Sequence, residues 1–337
     1  MSYAAHIPVM EKQIVAALAP KAGGVYVDAT FGGGGYARAI LKAANCTVYG
    51  FDRDPAAIER AQNWAVEYGD RLRLINRPFA EMQEALNENG VDAVDGVIFD
   101  LGVSSMQLDE AARGFSFRHE GPLSMRMDGG RPDAGDVIEQ ADARTLAAIF
   151  KSYGEEKKAG KIARAIVKAR EAAAIKTTTI LAAIIEKAAP IYGASKIHAA
   201  TRVFQALRIF VNDEFGQLIA GLRAAERLLK PAGRLAAVTF HSLEDRIVKR
   251  FFASRIAAQA RGSRHAPPAE QPHASFALVY AKALTPGEAE IAANPRSRSA
   301  KLRAGLRLDT PPAPANDDLL GAPRRVDLKF SGGGKDR

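Results

Sequence analysis

Cysteine is almost missing from this chain: Cys46 is the single one in 337 residues. That excludes an internal disulfide framework and any cysteine-based metal site. No apolar run approaches the roughly 20 residues that a bilayer-crossing helix needs. The opening residues, MSYAAHIPVMEKQ, lack the basic and apolar regions of a secretory leader. The expectation is therefore a cytoplasmic protein with no membrane contact. No internal repeat is visible, which removes solenoids and propellers. Acidic residues are in deficit, 38 against 47 basic ones, for a formal charge of +9. That balance favours a polyanionic partner.

Apolar and glycine-rich segments are present in quantity. Hydrophobic content of 47% and charged content of 25% suffice for one large or two moderate cores. The most informative segment is a β-branched run, Val25 to Val27, that ends in Asp28. Four glycines follow, Gly32 to Gly35, and a helix-like segment begins at Tyr36. A second apolar run, Thr47 to Phe51, ends in Asp52. Strand, glycine turn, helix and acid-tipped strand make the first half of a nucleotide-binding βαβ unit. Asp52 lies about 20 residues past the first glycine, where a carboxylate can accept both hydroxyls of a ribose. Asp28, on the strand ahead of the glycines, suits a ligand carrying an ammonium group, such as the methionine part of S-adenosylmethionine. A tight turn with a capping acid gives the same pattern.

The alternation continues with a helix from Asp54-Pro55, where an acid caps and proline takes the first turn. Strands follow at Leu72–Asn76 and Gly96–Asp100. From Gln107 to Phe210 no strand is readable, only a loop (114–136) and helices near 142–153, 156–173, 178–189 and 198–211. The sheet pattern resumes at Arg234–Phe240 after the turn Lys230-Pro231-Ala232-Gly233. Ser242-x-x-Asp245 reads as a capping box. Phe276–Ala283 and Lys301–Leu308 read as an antiparallel edge pair. The expected architecture is α/β, a Rossmann-like doubly wound sheet with a helical insertion after the fourth strand. The sheet domain takes residues 1–106 and 211–309, the insertion 107–210, and 310–337 reads as a disordered tail.

In such sheets ligands lie beyond the carboxyl ends of the strands. Asp28, Asp52, Phe79, Asp100 and His241 fall there. Phe79 either flanks an adenine or fills the core at a helix start. Asp100 either accepts a hydrogen bond from a reacting amine or caps the following loop. His241 is either catalytic or bonded to backbone. Phe115 and Phe117, with Arg113 and Arg118, either clamp an unpaired base or pin their loop. Three basic stretches stand out: Lys157, Lys161, Arg164 and Lys168; Arg246, Lys249, Arg250, Arg255, Arg261 and Arg264; and Arg296, Arg298, Lys301, Arg303 and Arg307. Each is either a solvated face or a nucleic-acid contact.

Longer motifs narrow the field. Phe99-Asp100-Leu101-Gly102-Val103-Ser104-Ser105-x-Gln107-Leu108-Asp109, Arg113-Gly114-Phe115-Ser116-Phe117 and Gly121-Pro122-Leu123-x-Met125-Arg126-Met127-Asp128 resemble one family closely. So do Tyr153-Gly154-Glu155-Glu156, Thr201-Arg202-x-Phe204-Gln205-Ala206-Leu207-Arg208 and Phe240-His241-Ser242-Leu243-Glu244-Asp245-Arg246. The chain resembles the bacterial 16S ribosomal RNA cytosine-N4 methyltransferases (RsmH/MraW), from His6 to about Arg307. The resemblance implies a class I S-adenosylmethionine-dependent methyltransferase fold with a helical substrate-recognition insertion. It implies methyl transfer to N4 of a decoding-centre (P-site) cytidine of 16S rRNA in the small (30S) ribosomal subunit, with S-adenosylmethionine as cofactor. By motif, the family's cofactor positions fall on Gly34, Gly35, Tyr36, Asp52, Phe79, Asp100 and Gln107. Asp100 and, less directly, His241 are the catalytic candidates. The family usually has histidine where Tyr36 stands; Ser124, Ala199 and Val203 also depart from its pattern. No metal and no DNA are expected, and a homodimer is compatible. The competing readings are a non-catalytic RNA-binding or ribosome-assembly factor and a nicotinamide-dependent reductase.

Overall fold

The computed structural model describes residues 8–190, 198–256, 274–314 and 316–328, and the chain divides into two units. One comprises Met1–Gly102 with Phe215–Ala322, the other Val103–Glu214 with Pro323–Arg337. In chain order the first unit contributes α1 (Glu11–Leu18), β1 (Val25–Asp28), α2 (Gly35–Ala43) and β2 (Thr47–Phe51). It continues with α3 (Pro55–Ala65), β3 (Leu72–Ile75), α4 (Met82–Glu88) and β4 (Val94–Asp100). The second unit holds α5 (Ser105–Asp109), α6 (Ala134–Gln140), α7 (Ala143–Gly154), α8 (Ala159–Ala172), α9 (Thr178–Ala188) and α10 (Ala199–Asn212). The chain then forms α11 (Glu214–Leu228), β5 (Leu229–Thr239), α12 (Ser242–Ala253), β6 (Phe276–Leu278), α13 (Glu288–Ala293) and β7 (Lys301–Arg307).

The seven strands form one sheet in the order β3-β2-β1-β4-β5-β7-β6. The first five are parallel; β7 runs antiparallel between β5 and β6. Residues Val94 to Phe99 of β4 are all buried, as a central parallel strand covered on both faces requires. The chain winds outward from β1 to β3, then crosses back to β4, so the strand order reverses between β1 and β4. That is where a doubly wound sheet opens its ligand crevice. The expected edge pair is corrected in one respect: β7 is interior and only β6 is an edge. Strand β5 also starts earlier than Arg234. Its pairing jumps from Val94–Leu229 to Gly96–Arg234, and the Lys230–Gly233 turn survives as a bulge with Ala232 at φ 65°.

A buried polar knot closes this unit. Arg255 donates to Glu226 at 2.6 Å, and Ser275 Oγ donates to the other Glu226 oxygen at 2.6 Å. Arg307 Nε donates to the Glu226 carbonyl at 3.0 Å. Two members of the expected basic stretches, Arg255 and Arg307, are therefore structural and buried. Lys301 and Arg303 pair with Asp245 at 3.1 and 2.8 Å. Arg261 and Arg264 lie outside the described residues. The tail is ordered further than residue 310: Thr310 Oγ1 donates to the Ala274 carbonyl and the Ala313 N–H to Glu226. A short helical turn follows at Asp317–Leu320. Residues 315 and 329–337 lie outside the described part.

In the helical unit, Gly154 brings α7 close to α10: a Cβ there would stand 2.4 Å from the Arg202 carbonyl oxygen. Arg202 pairs with the buried Glu156 at 3.2 Å. The loop after α5 is tied down from inside. Arg113 donates to the carbonyls of Arg126 and Met127, and Asn212 bridges Met125 and Met127 through its carboxamide. Phe115 is buried, and Phe117 sits edge-on to Phe204 with centroids 5.0 Å apart. These contacts pin the loop through Phe115, while Phe117 stays half-buried and Arg118 exposed. Among the described residues no helix is long and apolar enough to cross a membrane.

Candidate active site

The alternation of apolar residues with a terminal acid does what it must in a parallel sheet. It carries Asp28, Asp52 and Asp100 to the carboxyl ends of β1, β2 and β4. Asp28 is fully buried and accepts from the N–H groups of Thr30 and Ala37 at 3.4 and 3.1 Å. Burial pushes its carboxyl up to about 7 against those two bonds, and Asp52 adds to the shift. Asp52 accepts from Gly32 N–H and Asp54 N–H, each at 2.8 Å. Burial nonetheless raises it to about 6. Both Asp52 oxygens keep a second lone pair for another donor.

Asp100 is the extreme case. Its N–H donates to Thr30 Oγ1 at 2.6 Å, which fixes the end of β4 against the turn after β1. Its Oδ1 is buried and has no hydrogen-bond partner among the described residues. Burial, then Asp28 and Glu244, push this carboxyl to about 8; the Tyr36 hydroxyl pulls the other way. Asp28 is thus a buried acid and Asp100 a half-buried one with a buried Oδ1, and no cation stands among the groups that shift either of them. Two carboxylates in that state are costly to keep charged, and they fit a ligand that brings positive charge.

The glycine turn has a different local cause than ligand approach alone. Gly34 stands at φ 73°, where a side chain is strained, and a Cβ on it would meet Trp64 and Phe31 at 2.4–2.7 Å. A Cβ on Gly35 would meet Pro8 at 2.3 Å. Phe31 stacks on Trp64 with centroids 5.8 Å apart, and the Arg38 guanidinium lies 3.6 Å over the same indole. The turn therefore packs against rings while leaving the first N–H groups of α2, at Gly35 and Tyr36, without helical partners. The Tyr36 side chain points into the core and donates to the Val9 carbonyl at 2.7 Å.

Phe79 follows β3 and is half-buried, edge-on to Phe99 with centroids 5.3 Å apart. Gly221 of α11 makes room for it: a Cβ there would stand 2.6 Å from its ring. Phe79 thus packs one side against the core and keeps part of its ring exposed. His241 takes the structural reading. It is the N-cap of α12, with Nδ1 accepting from Glu244 N–H at 3.4 Å, while Glu244 accepts from the Phe240 and His241 N–H groups. The capping box is thus His241-x-x-Glu244, one residue ahead of the expected Ser242-x-x-Asp245. His241 Nε2 stands 2.9 Å from Glu244 Oε1, off line for a hydrogen bond.

Gln107 belongs to the second unit. It closes a capping box on α5, accepting from the Ser104 N–H at 3.1 Å while its own N–H donates to Ser104 Oγ at 3.2 Å. The structure thus gathers Asp28, Gly34, Gly35, Tyr36, Asp52, Phe79 and Asp100 on one unit. Three participants went unread: Thr30, Glu244 and the Phe31–Trp64 stack. Thr30 and Phe31 flank the glycine turn, and Glu244 lies inside a motif already singled out, so position offered a signal that residue type did not.

A model of the MraW methylase family matches residues 3–307. A protein named ribosomal RNA small subunit methyltransferase H from Nitrobacter winogradskyi is 54% identical over 313 residues, covering 93% of each chain. One of the same name from Cereibacter sphaeroides is 52% identical over 318 residues, 94% of this chain and 95% of that one.

Proposed function

The chain belongs to the MraW methylase family, S-adenosylmethionine-dependent methyltransferases of small-subunit ribosomal RNA, and from that premise we propose that it methylates the exocyclic N4 amine of one decoding-centre (P-site) cytidine of 16S rRNA. The observation that carries the reading is the pair of acids at the switch point of the sheet, Asp28 fully buried and Asp100 with one buried oxygen, neither of which has a cation beside it. The donor set fits the cofactor. Asp52 has lone pairs to spare for ribose hydroxyls, Phe79 has an exposed part to set beside an adenine, and the start of α2 offers N–H groups. Asp28 and Asp100 meet the positive charge.

When bound, S-adenosylmethionine supplies an electrophilic methyl group on a sulfonium centre. Cytosine N4 is a weak nucleophile because its lone pair is delocalised into the ring. Asp100 would accept a hydrogen bond from the amine, turn that lone pair towards the methyl group, and take the amine proton released as the N–C bond forms and the S–C bond breaks. Thr30 and the end of β4 hold the Asp100 backbone while it does so. Such positioning supplies up to roughly 7–11 kcal/mol without a covalent intermediate. The cytidine must leave its stack to reach the crevice. The helical unit, 103–214, serves to hold the surrounding RNA. The partner is the small ribosomal subunit, which places the work in the cytoplasm.

The test is transfer of label from methyl-labelled S-adenosylmethionine to small subunits prepared from cells lacking this modification. Label retained in 16S rRNA is the expected result. Cofactor binding with no transfer to any ribosomal RNA would overturn the proposal.

A further inference from the structure

Fourteen residues, 157–170, contain six cations and no acid. The structure sorts those six into two groups. Lys158 donates through Nζ to the Pro190 carbonyl at 3.3 Å, and Arg170 donates to the Ile138 carbonyl. These two are tied into the helical unit. Lys161, Arg164 and Lys168 lie on α8, and Lys157 lies one turn before Lys161. All four are exposed, and none has an ion pair among the described residues. At 100° and 1.5 Å per residue Lys161, Arg164 and Lys168 fall within an arc of about 60° and a row about 10 Å long, which Lys157 extends just before the helix. The opposite face of α8 is apolar and buried through Ile162, Ala163 and Ile166.

The other basic stretches are partly committed to the fold: Arg246, Lys249 and Arg250 are exposed on α12, but the Arg250 guanidinium lies against Gly321. Arg255 and Arg307 are buried, and Lys301 and Arg303 are matched by Asp245. Like charges three and four apart destabilise a helix, so the row is a cost that the fold itself does not offset. No aromatic side chain interrupts the row, and Gly160 and Ala165 leave it low, so a charged backbone can lie along it. Base stacking has nothing to work with there.

We infer that the cationic face formed by Lys157, Lys161, Arg164 and Lys168 holds the phosphate backbone of the RNA substrate, in a sequence-independent way. The inference rests on the methyltransferase reading for the identity of the RNA. The kind of contact follows from the surface alone.

The test compares full-length wild type with a Lys161→Gln, Arg164→Gln, Lys168→Gln triple variant. Each is titrated onto a fluorescent 16S rRNA fragment containing the decoding centre, between about 50 and 200 mM salt. Binding by the variant is expected to be at least tenfold weaker at the low-salt end. The slope of log affinity against log salt should be shallower by about 2, three contacts at about 0.7 each for a single strand. Calorimetric affinity for S-adenosylmethionine should be unchanged and the melting temperature no lower, which a structural role for these side chains would not allow. Arg164→Lys alone should retain both slope and affinity. A variant that binds with the wild-type affinity and slope, while wild type methylates the RNA, overturns the surface and leaves the function standing. Wild type that neither binds nor methylates ribosomal RNA overturns the functional reading itself.

Discussion

The proposed chemistry turns on Asp100, whose buried Oδ1 has no hydrogen-bond partner among the described residues. A buried carboxyl oxygen without a partner costs stability, so it marks a place where folding alone does not explain the residue. Asp100→Asn keeps the shape and removes the negative charge. The expected result is a loss of at least a hundredfold in kcat with little change in RNA affinity, read by single-turnover methylation and by RNA titration. The acids also set a pH dependence. Asp52, Asp28 and Asp100 sit at about 6, 7 and 8 in the folded chain, against 3.8 for an ordinary aspartate. Above pH ~4 the folded form therefore binds more protons than the unfolded one. The stability these groups contribute is present in full below that point and is lost as pH rises through 6 to 8. Melting temperature of the free protein should fall across that window, and S-adenosylmethionine should restore more of it at pH 8 than at pH 6. A flat profile would contradict the burial of these groups. The acids themselves were legible, because each ends an apolar run. Thr30 and Glu244 were not, since their contacts join segments that are 70 and more residues apart in sequence.

At the scale of elements, local signals carried the helices well. Pro after Asp54, the apolar spacing of α7 to α10 and the turn residues around them placed those helices within a few residues. The limits lay where packing, not propensity, decides. The cap of α12 moved from Ser242 to His241 because Glu244 reaches back to the His241 N–H. The run Glu214–Leu228 went unread as a helix between an expected helix and an expected strand. Two substitutions test the contacts that sequence could not show. Gly154→Ala forces a methyl group against the Arg202 carbonyl of α10, and overpacking of this kind costs about 1–3 kcal/mol. Denaturant midpoints should show it. Glu226→Gln leaves the Arg255 guanidinium buried without its charge partner, for a loss of about 3–5 kcal/mol. A midpoint within error of wild type would mean that the knot of Glu226, Arg255 and Ser275 contributes nothing.

For the whole molecule, the doubly wound order and the helical unit after β4 followed from where the alternation of strands stopped. Net charge pointed to a polyanion without saying which surface meets it. Burial and pairing narrow the choice, by committing Arg255, Arg307, Lys301 and Arg303 to the fold and leaving the α8 row exposed and without an ion pair among the described residues. What defines the proposed reaction is the identity of the atom methylated. It is tested most directly by digesting 16S rRNA treated with the protein to nucleosides and comparing them with authentic N4-methylcytidine by mass spectrometry, with the modified site mapped by fragment. N4-methylcytidine at a single decoding-centre position is the expected result. 5-Methylcytidine, or N4-methylation scattered over many sites, would contradict it.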